Sequence, residues 1–219
     1  MNKDNVLFTI IGLLAGLIIG FMATNSFNRN SILSQNSQTL SGSNGQMLNQ
    51  QEQGAAMPAV ADALKVADEN PDNFEAQIKA GDMFARISNL EKAITYFERA
   101  LKIKPNDYKT VVGLGNLSYD REDFEAAQKW NEQALAKKPD DVNVRTDLGL
   151  TFFRREPRDI NRAIKEYKTS LSFNPNHELT LQNLAVAYAE NKDQKGLEET
   201  LAKLEKVNPQ NQIIKKLKE

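Results

Sequence analysis

Hydrophobic residues follow two different patterns along this chain: one unbroken run near the N-terminus and a recurring helical spacing from Pro58 onward. Residues 6–24 contain no charged side chain and include the stretch IIGLLAGLIIG. As an α-helix this run would be about 28 Å long, close to the thickness of the hydrocarbon core of a bilayer. The pattern therefore predicts a single transmembrane helix over residues 6–24, after a short flank over residues 1–5.

The same run is compatible with a secretion signal that is removed by cleavage. Cleavage requires small residues at the third and first positions before the cut. A cut after Ala23 places the large Phe21 at the third position. Only a cut after Ser26, with Thr24 at the third position, satisfies the rule, and it does so weakly. An uncleaved anchor is therefore the preferred interpretation, and a secreted protein released by cleavage is an alternative.

The charges that flank the run predict its orientation. Lys3 and the N-terminal amino group precede it, whereas Arg29 is the only cation between the run and Lys65. Positive residues favour the cytoplasmic side of a membrane, so we expect the N-terminus inside and the rest of the chain outside. The alternative is the opposite orientation, in which the chain is a cytoplasm-facing adaptor for envelope enzymes or chaperones.

Residues 25–57 differ in composition from the segments on either side. Asn, Gln, Ser and Gly dominate, and the sparse apolar residues follow neither the period of a strand nor that of a helix. Such a segment cannot bury enough apolar surface to offset the entropy lost on ordering. It is predicted to be a flexible linker, with a root-mean-square span of about 30 Å.

Prolines recur at a nearly constant interval in the remaining chain, with separations of 34, 34, 36 and 34 residues. They are Pro71, Pro105, Pro139, Pro175 and Pro209. Each interval holds two amphipathic helical segments, and a proline ends the second because it cannot continue the hydrogen-bond ladder. Residues 58–73 precede the first interval as a lone capping helix, and residues 212–219 follow the last as a short one.

Small residues recur at fixed places within these intervals. The first helix of each interval contains a pair of adjacent residues whose second member is small: Ala80-Gly81, Leu114-Gly115, Leu148-Gly149 and Leu184-Ala185. The second helix carries Ala93, Ala127 or Ala163 and then Ala100, Ala134 or Ser170, while the last interval departs from both. Two helices that cross tightly need small residues where their backbones approach.

This pattern resembles the tetratricopeptide repeat, although the leading Trp of that repeat is missing throughout. The resemblance implies an all-α superhelical solenoid of about four helix-turn-helix repeats. The implied repeats are residues 74–107, 108–141, 142–177 with a two-residue insertion, and a degenerate 178–211. Gly115 then lies within a helix, so the stretch GLGNLS is not the start of a dinucleotide-binding loop.

The amino-acid composition limits the kinds of functional site that the chain can contain. The chain has no cysteine, one histidine and a net charge of −1, which argues against disulfides, thiolate metal sites, haem attachment through a CxxCH motif and nucleic-acid binding. The carboxylates of Asp120, Glu122 and Asp123 fall in a turn, where a solvated cluster is the ordinary interpretation. No catalytic set, cofactor or metal is expected, and the sequence predicts a protein that is not an enzyme.

The resemblance also implies a binding surface, because the first helix of each such repeat lines a concave groove. Its second, fifth, ninth, twelfth and thirteenth residues face inward. In the two central repeats these are Lys109, Val112, Asn116, Tyr119, Asp120, Asn143, Thr146, Leu150, Phe153 and Arg154. Amides and an exposed Tyr119 would suit a peptide segment or a partner helix; the alternative is that these residues are only the polar wall of a solenoid.

Further residues in the repeats bear on which partner the groove could bind and on their own structural roles. The carboxylate clamp of some relatives needs a lysine at the fifth position, where Ile78, Val112 and Thr146 stand, so that specificity is not expected. Pro157 is predicted to end its helix early. Four arginines surround it: Arg154, Arg155, Arg158 and Arg162. They are interpreted either as a solvated loop or as a site for an acidic partner or anionic headgroups. Trp130 is expected to pack between repeats, and His177 to have a capping or surface role.

Three glycines in the predicted anchor share one helix face. Gly12, Gly16 and Gly20 are four residues apart, and such a strip lets helices approach closely in lipid. They therefore predict a contact between two copies of the chain, although glycine is also common in membrane helices.

The layout of anchor, linker and solenoid resembles the haem-lyase-associated subunits of cytochrome c maturation on the outer face of a bacterial inner membrane. That resemblance implies a periplasmic scaffold for a partner protein in that pathway or another envelope assembly process.

Overall fold

The computed structural model describes residues 61–218. The predicted anchor with Gly12, Gly16 and Gly20, and the predicted linker, lie outside the described residues. Within residues 61–218 none of the helices combines the length and apolar character needed to cross a bilayer.

The described part of the chain is all-helical, as the sequence predicted. Helix α1 occupies residues 61–69, and four pairs and a final short helix follow. They are α2 (Phe74–Arg86), α3 (Leu90–Ile103), α4 (Tyr108–Asp120), α5 (Phe124–Lys137), α6 (Val142–Arg154), α7 (Ile160–Phe173), α8 (Glu178–Glu190), α9 (Gln194–Val207) and α10 (Gln212–Lys218). The even-numbered members of the pairs, α2 to α8, are the first helices of their repeats, and α3 to α9 are the second helices.

Asparagine and aspartate side chains fix the starts of these helices. The carboxylate of Asp123, for example, accepts a hydrogen bond from the backbone N–H of Ala126 at 3.0 Å, which satisfies one of the unpaired donors of the first turn. Caps of this kind contribute about 1 kcal/mol each. The capping residues are Asn73, Asn89, Asp107, Asp123, Asp141, Asp159 and Asp193. His177 begins α8 without a side-chain cap.

The two helices of each pair touch where the sequence places small residues. Ala93, Ala127 and Ala163 on the second helices are all 0 % exposed. On the facing first helix, a Cβ at Gly81 would lie only 2.7 Å from the ring of Phe97. The close-approach role predicted for these positions is confirmed, because an added methyl group would have no room.

Three of the four turns inside the helix pairs use one residue with a left-handed backbone. Ser88, Glu122 and Lys192 have φ values of 58°, 62° and 56° at equivalent places in the first, second and fourth repeats. The third repeat has two more residues, but its first helix α6 runs to Arg154 and has 13 residues like α2, α4 and α8, so the expectation that Pro157 ends this helix early is wrong. The two extra residues lie in the turn instead. There the turn closes through the N–H of Asp159, which donates to the carbonyl of Phe152 at 2.9 Å.

Apolar side chains between successive pairs form a continuous interior. One cluster joins α1 to α4 and includes Phe84, Phe97 and Leu114, while a second extends toward α8. Trp130 packs against both clusters, which confirms that it lies between repeats. Each repeat therefore gains its stability from its neighbours, as expected for a solenoid.

Hydroxyl groups replace apolar contacts at the joint between the third and fourth repeats. Thr146 Oγ1 donates to the carbonyl of Val142 and lies 2.6 Å from Thr180 Oγ1. Ser170 Oγ also donates to Val142, and His177 Nδ1 lies 2.6 Å from Thr180 Oγ1. Thr146 and Ser170 use their hydroxyl protons in the two bonds to the carbonyl of Val142, so Thr180 has to donate its own proton to Thr146. For every one of these bonds to form, Thr180 then accepts from His177, which must carry a proton on Nδ1.

The C-terminal end is sealed by apolar and amide groups. Ile213 and Ile214 of α10 are buried. Asn208 and Asn211 both donate side-chain hydrogen bonds to Glu178 Oε1, at 2.7 Å and 2.6 Å. These contacts attach the end of the fourth repeat to the start of its own first helix.

Candidate binding groove

The first helices of the repeats lie on the inner side of the solenoid. Helix α4 contacts α6, and α6 contacts α8, whereas the second helices make no comparable contacts with one another among the described residues. A stack in which one row of helices is closer together curves toward that row. The side chains of α2, α4, α6 and α8 that point away from their partner helices therefore face the concave groove.

Six of the ten predicted groove residues reach the surface. Lys109, Asp120 and Asn143 are exposed, and Val112, Asn116 and Arg154 are partly exposed. They come from the outward faces of α4 and α6, which are neighbours in the structure. The central groove therefore presents charged side chains together with the amide of Asn116 and the small apolar side chain of Val112.

The other four predicted groove residues are buried. Tyr119 is only 5 % exposed, and its ring meets the edge of Phe124 with centroids 5.5 Å apart, so the expected exposure of Tyr119 is wrong. Phe153 is likewise buried beneath the guanidinium of Arg158. Thr146 is fully buried in the hydroxyl cluster, and Leu150 is almost so. Sequence position alone could not show that neighbouring side chains would cover these residues.

Asp82 is a groove residue that the sequence analysis did not name. It occupies the ninth position of the first repeat, which is equivalent to Asn116 in the second. Applying the same positional rule to the first repeat would have found it. Neither the carboxylate of Asp82 nor the side-chain amide of Asn116 makes a hydrogen bond or ion pair within the described part of the chain. One oxygen of each group is also buried from solvent.

Burial changes the acidity of this carboxyl group. Desolvation raises the pKa of Asp82 above its ordinary value, and the positive charge of Arg86, one turn further along α2, opposes that shift without cancelling it. A half-buried carboxylate without a partner destabilises the domain that contains it. Such groups are found where a ligand supplies the missing donor.

The arginines around the third-repeat insertion are held by the fold in specific contacts. The guanidinium groups of Arg155 and Arg162 both lie 5.3 Å from the ring centre of Phe152. Arg158 lies 3.8 Å from a carboxylate oxygen of Glu190 in the next repeat. These side chains therefore join α6, α7 and α8 at the edge of the groove.

The acidic cluster and the glycine-rich stretch have local structural roles. Asp123 caps α5 and pairs with Arg121 at 2.8 Å, and Glu122 forms the left-handed turn residue. Gly113 and Gly115 both lie within α4. In the described residues no three His, Asp or Glu side chains are grouped so that they could hold a metal ion.

Comparison with known proteins agrees with this geometry. Two tetratricopeptide-repeat family models match the chain, one over residues 49–108 and the other over residues 88–146. No curated protein sequence gives a significant match.

Solved structures of similar fold are tetratricopeptide-repeat proteins. YrrB, described as a TPR protein with an unusual peptide-binding site, superposes with a TM-score of 0.65 at 18 % identity, covering 77 % of this chain and 86 % of its own. MamA from Desulfovibrio magneticus RS-1, residues 41 to the end, gives a TM-score of 0.65 at 18 % identity, covering 74 % of this chain and 90 % of its own. Identity this low shows the fold alone. The chain carries tetratricopeptide repeats, and its described residues have the fold of a TPR solenoid.

Proposed function

We propose that this chain is a membrane-tethered interaction scaffold that binds a peptide segment of a partner protein in its concave groove. The TPR fold supports a role in protein–protein interaction, and one structural neighbour is described as having a peptide-binding site. The proposal assigns no chemical step to the chain, since its work is to hold a partner.

The observation that carries the groove proposal is the state of Asp82 and Asn116. Each side chain has a buried oxygen with no hydrogen-bond partner among residues 61–218, and the two stand at the same position of first helices in adjacent repeats. An extended peptide has free backbone N–H groups along its length and can supply donors to both. A partner helix uses its own N–H groups internally, so the extended segment is the better match.

Peptide selection tests this proposal directly. A random peptide library displayed on phage is selected against the purified full-length chain, and the affinity of an enriched peptide is then measured for variants. Asn116→Ala should weaken binding about 5- to 10-fold, the loss expected for one or two hydrogen bonds. The matched control is Glu132→Ala on the exposed face of α5, which should leave the affinity unchanged. Failure to enrich any peptide, or equal losses in both variants, would refute groove binding.

The proposed membrane tether is the apolar run of residues 6–24, and the positive charge on its N-terminal flank favours a solenoid on the periplasmic side of a bacterial inner membrane. The absence of cysteine makes a clean test possible. A single Ser43→Cys in the predicted linker should react with a membrane-impermeant maleimide in cells whose outer membrane has been permeabilised. Labelling only after lysis would instead favour the cytoplasm-facing adaptor. A mature chain that begins after residue 26 would favour the secreted form.

The pathway proposed from the resemblance is cytochrome c maturation, in which the bound segment would belong to an apocytochrome or a lyase subunit. Deleting the gene should remove covalently bound haem from c-type cytochromes, seen by haem staining of membrane proteins. Normal staining in the deletion strain would exclude this pathway and leave the scaffold role to another envelope process.

A further inference from the structure

Helix α7 differs from the other second helices in how its charges are distributed. Its single acidic residue, Glu166, is only 4 % exposed, because its carboxylate is drawn inward between Arg145 and Arg162 at 2.9 Å from each. The exposed charged residues of α7 are therefore all cationic: Arg162, Lys165 and Lys168. No other described residue pairs with the ammonium group of Lys165 or Lys168.

The other second helices carry exposed carboxylates among their cations. Glu91 and Glu98 lie on α3, Glu125 and Glu132 on α5, and Glu198, Glu199 and Glu205 on α9. Some of these pair with cations of the same helix, as Glu125 does with Lys129 at 2.8 Å. Of the four second helices, α7 alone has no exposed carboxylate, and it carries the largest excess of positive charge.

An exposed aromatic residue completes this surface. Phe173, at the C-terminal end of α7, is 49 % exposed, which makes it one of the most exposed large apolar residues described. It follows Arg162 by eleven residues, or about three helical turns, and so lies beside Arg162 at one edge of the exposed surface, about 140° around the helix from Lys168. Its ring also lies 5.9 Å from the guanidinium of Arg145. We call Arg162, Lys165 and Lys168 the α7 basic face, with Phe173 at its edge.

The shape of the solenoid favours a flat anionic partner for this face. The second helices form the outer, convex side, and a plane touches a convex surface along about one helix. The carboxylates of α5 and α9 would then stand away from the contact. An acidic peptide that followed the curvature would instead meet those carboxylates, which repel it.

We propose that the α7 basic face binds the anionic headgroups of a phospholipid bilayer, with Phe173 at the edge of the contact, where its ring reaches the interface between headgroups and acyl chains. Cations are attracted to anionic leaflets, and aromatic rings are favoured at this depth. Three cations bind weakly from free solution, so the inference rests on the proposed membrane tether. The tether keeps the face at a high local concentration near the bilayer. Contact through α7 leaves the concave groove open to its partner.

A single fluorescent probe tests the contact. In the cysteine-free full-length chain, Ser172→Cys on α7 and the control Ala202→Cys on α9 are each labelled with an environment-sensitive fluorophore, both sites being exposed. The chain is reconstituted into vesicles of phosphatidylcholine, with or without phosphatidylglycerol. We expect a blue shift at residue 172 only with phosphatidylglycerol, lost at high salt. The shift should also be lost in Lys165→Glu/Lys168→Glu and retained in Lys203→Glu/Lys206→Glu.

Vesicle flotation separates the possible failures. A chain that does not float even with neutral vesicles contradicts the tether, and therefore the foundation of this inference. A chain that floats but shows no shift, or equal shifts at residues 172 and 202, overturns the α7 contact alone. A shift at residue 172 with soluble polyglutamate but not with anionic vesicles would assign the face to an acidic protein instead.

Discussion

Gly149 faces the ring of Tyr167 so closely that a Cβ at residue 149 would lie 2.5 Å from Tyr167 Cε1. The tyrosine is fully buried, so its ring has no space into which it could retreat. The equivalent contact in the first repeat joins Gly81 to Phe97. These glycines set the distance between the two helices of a repeat, and that distance sets where the first helix presents its groove residues.

Gly149→Ala should therefore destabilise the domain by about 1–3 kcal/mol, the usual result of overpacking a filled core. Gly113→Ala is the matched control in a neighbouring first helix, because its Cβ would lie no closer than 3.4 Å to Phe97. There the better helix propensity of alanine should leave stability unchanged or raise it by up to about 1 kcal/mol. Thermal unfolding followed by circular dichroism measures both. Equal losses in the two variants would show that the Tyr167 contact is not the cause.

The ion pairs of α7 and α5 should differ sharply in their contribution to stability. Glu166→Gln leaves Arg145 charged with only 15 % of its side chain exposed, and loss of one partner of such a pair costs about 3 kcal/mol. Glu125→Gln breaks a pair with Lys129 in which both side chains are largely exposed. That change should stay within about 0.5 kcal/mol. Urea unfolding of both variants tests the difference, and a small effect at Glu166 would contradict the buried pairing.

Stability should fall in mild acid through His177. Burial lowers the pKa of His177 from its ordinary value of 6.5, although the charges of Asp147 and Asp141 oppose the shift. Because the unfolded chain takes up the proton more readily, the free energy of unfolding decreases as the pH falls below about 6.5.

The His177→Asn variant isolates this contribution, since asparagine can cap α8 but does not titrate. Urea unfolding at about pH 7.5 and about pH 5 should show a larger loss for the wild type than for the variant. Parallel losses in the two proteins would mean that other groups account for the acid sensitivity.

Asp82 is expected to lower the stability of the folded domain and to strengthen the binding of a peptide. Its raised pKa means that the folded state disfavours the carboxylate, a penalty that operates at neutral pH and disappears in acid. Asp82→Leu should therefore raise the free energy of unfolding by about 1 kcal/mol at neutral pH and weaken peptides selected on the groove. Calorimetry and titration of a selected peptide measure the two effects. A variant that binds as tightly as the wild type would remove Asp82 from the site.

The glycine face of the predicted anchor gives a prediction independent of the solenoid. If Gly12, Gly16 and Gly20 bring two copies together, Gly16→Ile should abolish self-association of residues 1–30 in a membrane dimerisation assay. Leu14→Ile is the control, because it keeps all three glycines. Undiminished association in the Gly16 variant would leave the glycines as ordinary residues of a membrane helix.

Local patterns in the sequence were sufficient to identify the repeat architecture. Pro105 and Pro139 end second helices, and Ala93 and Ala127 mark close crossings. Each of these effects acts within a few residues of the chain or follows from one helix crossing. These short-range interactions recur wherever the sequence recurs, so the interval of 34 residues was enough to predict the fold.

Which side chains line the groove was decided only by the tertiary structure. Tyr119 and Phe153 occupy positions that face the groove, yet Phe124 and Arg158, which belong to the neighbouring turns and helices, cover them. The isolation of Asp82 and the withdrawal of Glu166 likewise depend on what packs beside them. Burial and pairing are properties of several chain segments together. The sequence by itself therefore determined the repeat and its helices, whereas the packing of one repeat against the next decided which charges are free to meet a partner.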